Sequence, residues 1–226
     1  MNIKASVSKI IFNFRVKRDL EAVLSTIDLQ EFNKYQEKFK DVDPSPGASK
    51  YLDISYWMKK KLYDIYALKL HRSKPLNVLD IGTGFGYFPY LCSHFGHNAI
   101  ALDVDETEMY NEVIEFLEVD RKVKAITAYE KLPDLGCKFN LITAFSICFN
   151  GHNNLAASLW DIDEWDFLLT DLANNHMCND GQMLWKFNLE EETGSYYSKG
   201  LADYFLNKGA VIKGRSVYFS SVKQFH

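Results

Sequence analysis

The chain has 226 residues, more than a typical domain of about 100–150 residues and fewer than two full ones. Hydrophobic residues make up 47% and charged residues 25%, a globular composition that excludes intrinsic disorder. Lys and Arg number 26 against 30 Asp and Glu, a formal charge of −4, so nothing in the whole-chain balance asks for a nucleic-acid partner.

Cys92, Cys137, Cys148 and Cys178 are scattered, with no Cys-x-x-Cys pair and no histidine at zinc-ligand spacing. Reduced thiols without a structural metal are therefore expected. No apolar run reaches the roughly 18 residues of a membrane span. Lys4, Lys9, Arg15, Lys17 and Arg18 interrupt the apolar residues near the start, which breaks the apolar core of a signal peptide and places the protein in the cytoplasm.

Charge divides the chain near Pro75. Residues 1–74 hold 15 Lys and Arg against 9 Asp and Glu, a balance of +6, and residues 75–226 hold 11 against 21, a balance of −10. Two units are expected: a helical extension over 1–74 and a larger α/β domain over 75–226. In the first, Val7, Ile10, Ile11 and Phe14 share one helical face, and Ile54, Trp57, Met58, Leu62, Ile65 and Leu68 share another. Pro44, Pro46 and Gly47 mark a loop between them.

Beyond Pro75, short apolar runs alternate with helical spacing, the pattern of a parallel sheet with crossover helices. Strands are expected at Leu76–Ile81, Ala99–Leu102, Val123–Ile126, Phe139–Phe145 and Gly181–Phe187. A helix is expected from Gly86 to Phe95, with Pro89 tolerated in its first turn. Asp105 reads as the N-cap of the next helix, with Glu108 three residues on. Ile162, Trp165, Leu168, Leu169 and Leu172 have helical spacing, as do Tyr197, Leu201, Tyr204 and Phe205. Lys213-Gly214 then separates two β runs, Ala210–Ile212 and Ser216–Phe219, as an antiparallel hairpin.

Chemistry centres on Asp80-Ile81-Gly82-Thr83-Gly84-Phe85-Gly86, where the first strand gives way to a helix. Glycines there let the backbone turn sharply and admit a ligand without a Cβ in the way. Seventeen residues beyond Gly86, Asp103 ends the second strand, where a carboxylate can accept both hydroxyls of a ribose. Val78 through Gly86, followed by Ala101-Leu102-Asp103-Val104-Asp105, resembles the first two motifs of class I S-adenosylmethionine-dependent methyltransferases, and the C-terminal hairpin resembles that family's antiparallel seventh strand.

The resemblance covers residues 75–226. It implies a doubly wound, mostly parallel seven-stranded sheet of order 3-2-1-4-5-7-6 with the last strand antiparallel, and S-adenosylmethionine as cofactor, leaving as S-adenosylhomocysteine. It further implies that Asp80 helps hold the methionine end and that Gly82, Gly84 and Gly86 give close backbone approach. Asp103 would hold the ribose, Val104 would lie against the adenine, and Tyr129 and Phe145 would complete the cofactor set. Ala128-Tyr129 stands where many members place an acid and a small residue before a Leu-Pro pair, and Phe139-Asn140 opens the fourth strand in place of an aromatic-Asp pair. No Asp/Asn-Pro-Pro-Tyr/Phe follows Phe145, which removes support for methylation of nucleobase amines. Phe145 through Asn150 and Trp165 through Leu168 also resemble a small group of bacterial methyltransferase-like proteins.

A dehydrogenase shares the glycine turn and the acid, but its spacing is G-x-G-x-x-G, whereas this chain reads G-x-G-x-G behind a carboxylate. A catalytically degenerate binding or scaffold protein of the same fold is the other alternative, because fold does not dictate activity. His152 is the candidate base and Asn150 the candidate to orient an acceptor hydroxyl; the plainer reading of each is a loop residue without a role in the chemistry. His94, His97 and His176 read as surface residues, and Trp57, Trp160 and Trp165 as packing residues. The acceptor is expected to be a small molecule or glycan, methylated at oxygen or nitrogen. Tyr51, Tyr56 or Trp57 would face it from a lid formed by residues 1–74. The basic balance of that segment offers an alternative contact with an anionic membrane or glycan surface.

Overall fold

The computed structural model describes residues 3–40, 49–147, 149, 159–189 and 194–225. These divide into two compact units. One comprises residues 1–75, 84–97 and 105–119, and the other residues 76–83, 98–104 and 120–226.

The first unit is helical: α1 (Ile3–Leu24), α2 (Leu29–Lys38), α3 (Ile54–Ala67), α4 (Tyr87–His94) and α5 (Glu108–Phe116). Asp28 starts α2 by accepting the N–H groups of Gln30 and Glu31, both at 3.0 Å, and Asp53 starts α3 by accepting that of Tyr56 at 3.0 Å. Each satisfies donors that a helix N-terminus leaves without partners. Met58, Leu62 and Ile65 of α3 are fully buried, as their spacing predicts. In α1 the buried face is instead that of Val16 and Val23, while Ile10, Ile11 and Phe14 are exposed. Phe12 packs its ring edge-on to Tyr66 at 5.3 Å. The helix therefore carries apolar residues on two faces, and only one is covered within the described unit.

The second unit is a seven-stranded sheet of order β3-β2-β1-β4-β5-β7-β6. Its strands are β1 (Asn77–Ile81), β2 (Asn98–Asp103), β3 (Arg121–Val123), β4 (Phe139–Ile147), β5 (Met177–Phe187), β6 (Val211–Lys213) and β7 (Ser216–Phe219). The first five pair in parallel, and β7 lies antiparallel to both β5 and β6. This is the α/β arrangement that the resemblance implies, with the strand order reversing between β1 and β4. Helices α6 (Ile162–Asp171) and α7 (Lys199–Asn207) belong to the same unit. A capping box of Asp161 and Glu164 starts α6, and Ser198 starts α7. The core is strongly aromatic: Trp165 and Trp185 are both almost fully buried, with rings edge-on at 5.2 Å.

Four expectations need correction. Helix α5 begins at Glu108 behind Thr107, not behind Asp105, because the Asn111 amide holds the Asp105 carbonyl at 2.8 Å in the preceding loop. Strand β3 covers Arg121–Val123 rather than Val123–Ile126: it pairs only as far as Asp103 of β2, whose carbonyl accepts the Lys124 N–H at 2.9 Å. His97 is buried, with Nε2 3.0 Å from the Leu70 carbonyl. His176 is buried at the end of a π-helical stretch, Leu172–His176, that follows α6; its Nε2 lies 3.7 Å from Asp171 Oδ2. Among the described residues no helix is long and apolar enough to cross a membrane.

Candidate functional site

At the carboxyl end of β1 the Asp80 carboxylate is buried. Its Oδ1 accepts the Thr143 hydroxyl of β4 at 2.6 Å and its Oδ2 the Thr83 hydroxyl at 2.8 Å. A buried carboxylate needs such donors to offset its lost hydration. Asp80 thereby ties the start of the glycine turn to the neighbouring strand. The next link runs the other way, since the Gly82 N–H donates to the Leu102 carbonyl of β2 at 2.8 Å. The turn is thus pinned beside the residue before Asp103.

Gly82 has φ 65°, and a Cβ there would stand 2.6 Å from Ile147 Cδ1. A side chain there would require the terminal methyl of Ile147 to move aside. In the helical unit Gly84, at φ 58°, has nothing within 4 Å of where a Cβ would stand, and Gly86, at φ 74°, occupies the N-cap position of α4. The Asp103 carboxylate is half-buried, with Oδ1 accepting the Val104 N–H at 2.8 Å. The Val104 carbonyl accepts from Arg121 Nη1 at 3.4 Å.

Ile147 reaches Gly82 because β4 is irregular at its end. Phe145 pairs with Lys186 and Ile147 with Phe187, with a register shift between them. Ser146, at the shift, has φ 58°, a conformation that strains a non-glycine residue and clusters at functional sites. Two partners hold it there. Arg215 donates from Nη2 to its hydroxyl at 2.6 Å, and Asn188 donates to its carbonyl at 2.8 Å. Phe145 is buried at the same edge, with the Lys186 ammonium 5.5 Å from its ring centre.

Tyr129 also has positive φ, at 62°. Its half-exposed ring meets Phe167 of α6 edge-on at 5.8 Å, and it lines a groove of about 390 Å³ with Asp163 and Asp166. Partial desolvation, then the Glu164 carboxylate, push its hydroxyl pKa upward.

In the helical unit, Tyr51 packs on Trp57 at 4.5 Å and on Phe85, the residue between Gly84 and Gly86, at 5.8 Å. The Tyr87 hydroxyl fastens this segment by donating to the Tyr51 carbonyl at 2.8 Å. Tyr56 is exposed on the edge of Trp57. His152 and Asn150 lie outside the described residues, as does Cys148.

Thr143 and Ile147 escaped the sequence reading. Thr143 had a signal, a hydroxyl in the apolar run of β4, since a buried polar side chain implies a partner. Ile147 had none, because its role depends on a shift in strand pairing.

No protein-family model matches the chain, and no curated protein matches it. Among solved structures it is similar to a ribosomal protein L11 methylase from Lactobacillus delbrueckii subsp. bulgaricus, 18% identical over 71% of this chain and 74% of that one, with TM-score 0.43. It is similar to a TehB-like SAM-dependent methyltransferase from Corynebacterium glutamicum, 14% identical over 72% and 95%, with TM-score 0.46. A third is SAM-bound CalS10, an amino pentose methyltransferase from Micromonospora echinaspora, 17% identical over 60% and 52%, with TM-score 0.43. The match spans about half the length of CalS10.

Proposed function

We propose that the chain binds S-adenosylmethionine and transfers its methyl group to oxygen or nitrogen of a small acceptor. The observation that carries this reading is the pinning of Gly82 to Leu102, which sets the first glycine of the turn next to a carboxylate that ends the adjoining strand. A ribose diol asks for such a carboxylate, and a cofactor that lies along backbone asks for such a turn.

Asp103 would hold the ribose, and the backbone of Gly82 would lie along the amino-acid end. Val104, Phe145 and Tyr129 are the candidates to border the adenine. Asp80, engaged by Thr83 and Thr143, acts by keeping the turn in shape. When bound, the sulfonium would supply an electrophilic methyl to a lone pair on the acceptor, with the C–S electron pair passing to sulfur and the acceptor's proton to water. The protein's contribution is positioning and exclusion of bulk solvent.

Titration calorimetry with S-adenosylhomocysteine on wild type and Asp103→Ala tests this reading, with NADH as control. Micromolar affinity weakened at least tenfold, about 1.4 kcal/mol, is expected in the variant. No binding to folded wild-type protein rejects the reading in favour of a methyltransferase-fold binding or scaffold protein.

A further inference from the structure

The sheet unit contains a second feature at the carboxyl ends of β4 and β5. A cavity of about 210 Å³ is lined by Ile147, Phe149, Trp160, Trp165, Phe187 and Tyr197, among others. Ile147 ends β4 and Phe187 ends β5. Ile147 is also the side chain that a Cβ at Gly82 would strike, so one isoleucine stands between the glycine turn and the cavity. The walls are plates. Phe149 and Trp160 stack at 4.7 Å and 26°, Trp165 stands edge-on to Phe149 at 4.9 Å, and Phe187 meets Tyr197 edge-on at 5.3 Å.

Three polar groups on the lining are already engaged, and the Trp160 indole N–H is buried without a hydrogen-bond partner. Asp161 belongs to the capping box of α6, the Ser198 hydroxyl accepts the Leu201 N–H at 3.0 Å, and the Tyr197 hydroxyl donates to the Gly214 carbonyl at 2.7 Å. None of the described lining residues is Lys, Arg or His. A sugar would bring several hydroxyls into this space and find few partners, at a cost of about 1–3 kcal/mol for each one buried without a hydrogen bond. A flat uncharged ring with a single oxygen or nitrogen buries one polar atom, for which the Trp160 N–H is a free donor, and gains aromatic contacts. Size agrees, because an apolar cavity of about 150 Å³ already accepts benzene.

We infer that this cavity receives the acceptor, and that the acceptor is a flat, uncharged one- or two-ring aromatic compound whose oxygen or nitrogen takes the methyl group past Ile147. The inference rests on the methyl-transfer reading above and narrows its acceptor from small molecule or glycan to an aromatic ring.

Indole and phenol serve as probes, with N-acetylglucosamine as the sugar control, titrated by ligand-observed NMR into wild type, Leu159→Trp and Trp160→Ala. Leu159 lines the cavity yet is 43% exposed, so a larger side chain there fills the space with little demand on the core. The expected result is binding of both rings and not the sugar, weakened at least tenfold in Leu159→Trp, with S-adenosylhomocysteine affinity within twofold of wild type. Trp160→Ala should weaken the rings similarly by removing one plate. Ring binding that is absent, that survives in Leu159→Trp, or that is exceeded by the sugar overturns the inference. If S-adenosylhomocysteine binds while the rings do not, the acceptor class alone fails; if the rings bind and S-adenosylhomocysteine does not, the cavity stands and methyl transfer falls.

Discussion

The Thr143 hydroxyl donates to Asp80 Oδ1 at 2.6 Å across the β1–β4 pair, with both residues buried. A hydrogen bond to a buried charge contributes about 1.5–3 kcal/mol. Thr143→Val, which keeps the shape and deletes the donor, should lower unfolding stability by about that amount, whereas Thr143→Ser should retain most of it. Urea titration monitored by tryptophan fluorescence measures both. Equal stability of the valine variant and wild type would show that the carboxylate does not depend on this donor.

Gly82 and Ile147 form a second testable pair. Gly82→Ala combines the left-handed conformation with a 2.6 Å approach to Ile147 Cδ1, so stability should drop by about 1–3 kcal/mol and S-adenosylhomocysteine affinity at least tenfold. Adding Ile147→Ala removes the collision but not the backbone strain. The double variant should therefore recover affinity in part, and calorimetry showing no recovery would assign the whole effect to the backbone.

The two sides of the helical unit should respond differently to substitution. Met58 is completely buried, and Met58→Ala should cost about 2–5 kcal/mol. Phe14 is 68% exposed, and Phe14→Ser should change stability by no more than about 0.5 kcal/mol. A large loss at Phe14 in chemical unfolding would mean that the outward face of α1 is covered in solution.

His176 introduces a pH dependence. Burial lowers its pKa, against an opposing pull from Asp171, with Lys138 lowering it further and Asp134 raising it. The folded state therefore favours the neutral ring, while the unfolded ring takes up a proton near its ordinary value of about 6.5. As pH falls below that value the unfolded state binds more protons, and stability should decline until the folded ring also protonates. The urea midpoint should be highest above pH 6.5 and lower at pH 5.5. His176→Gln should flatten part of that slope; His71, whose pKa is lowered by burial and by Arg72, supplies the same sign. An unchanged slope in the variant would remove His176 as a source.

Local information was sufficient for the strand framework apart from β3, and for the glycine turn. Apolar runs of four to eight residues, the Lys213-Gly214 hairpin and the helical spacing in α3, α4 and α6 all recur in the structure because period and turn chemistry act over a few neighbouring residues. The positions of Asp80 and Asp103 were legible for the same reason: they lie at the ends of β1 and β2. Tertiary structure alone decided which apolar faces are covered. Spacing marks Phe14 and Met58 alike as members of an apolar stripe, yet only a packing partner buries one of them. It also decided that His97 and His176 lie inside, since a carbonyl from Leu70 and a carboxylate from Asp171 are distant in sequence or rotated into reach by a π-turn. The aromatic cavity needed most of all a three-dimensional cause. A register shift at Ser146 swings Ile147 toward Gly82, and no residue pattern along β4 announces a slip that depends on how β5 pairs beside it.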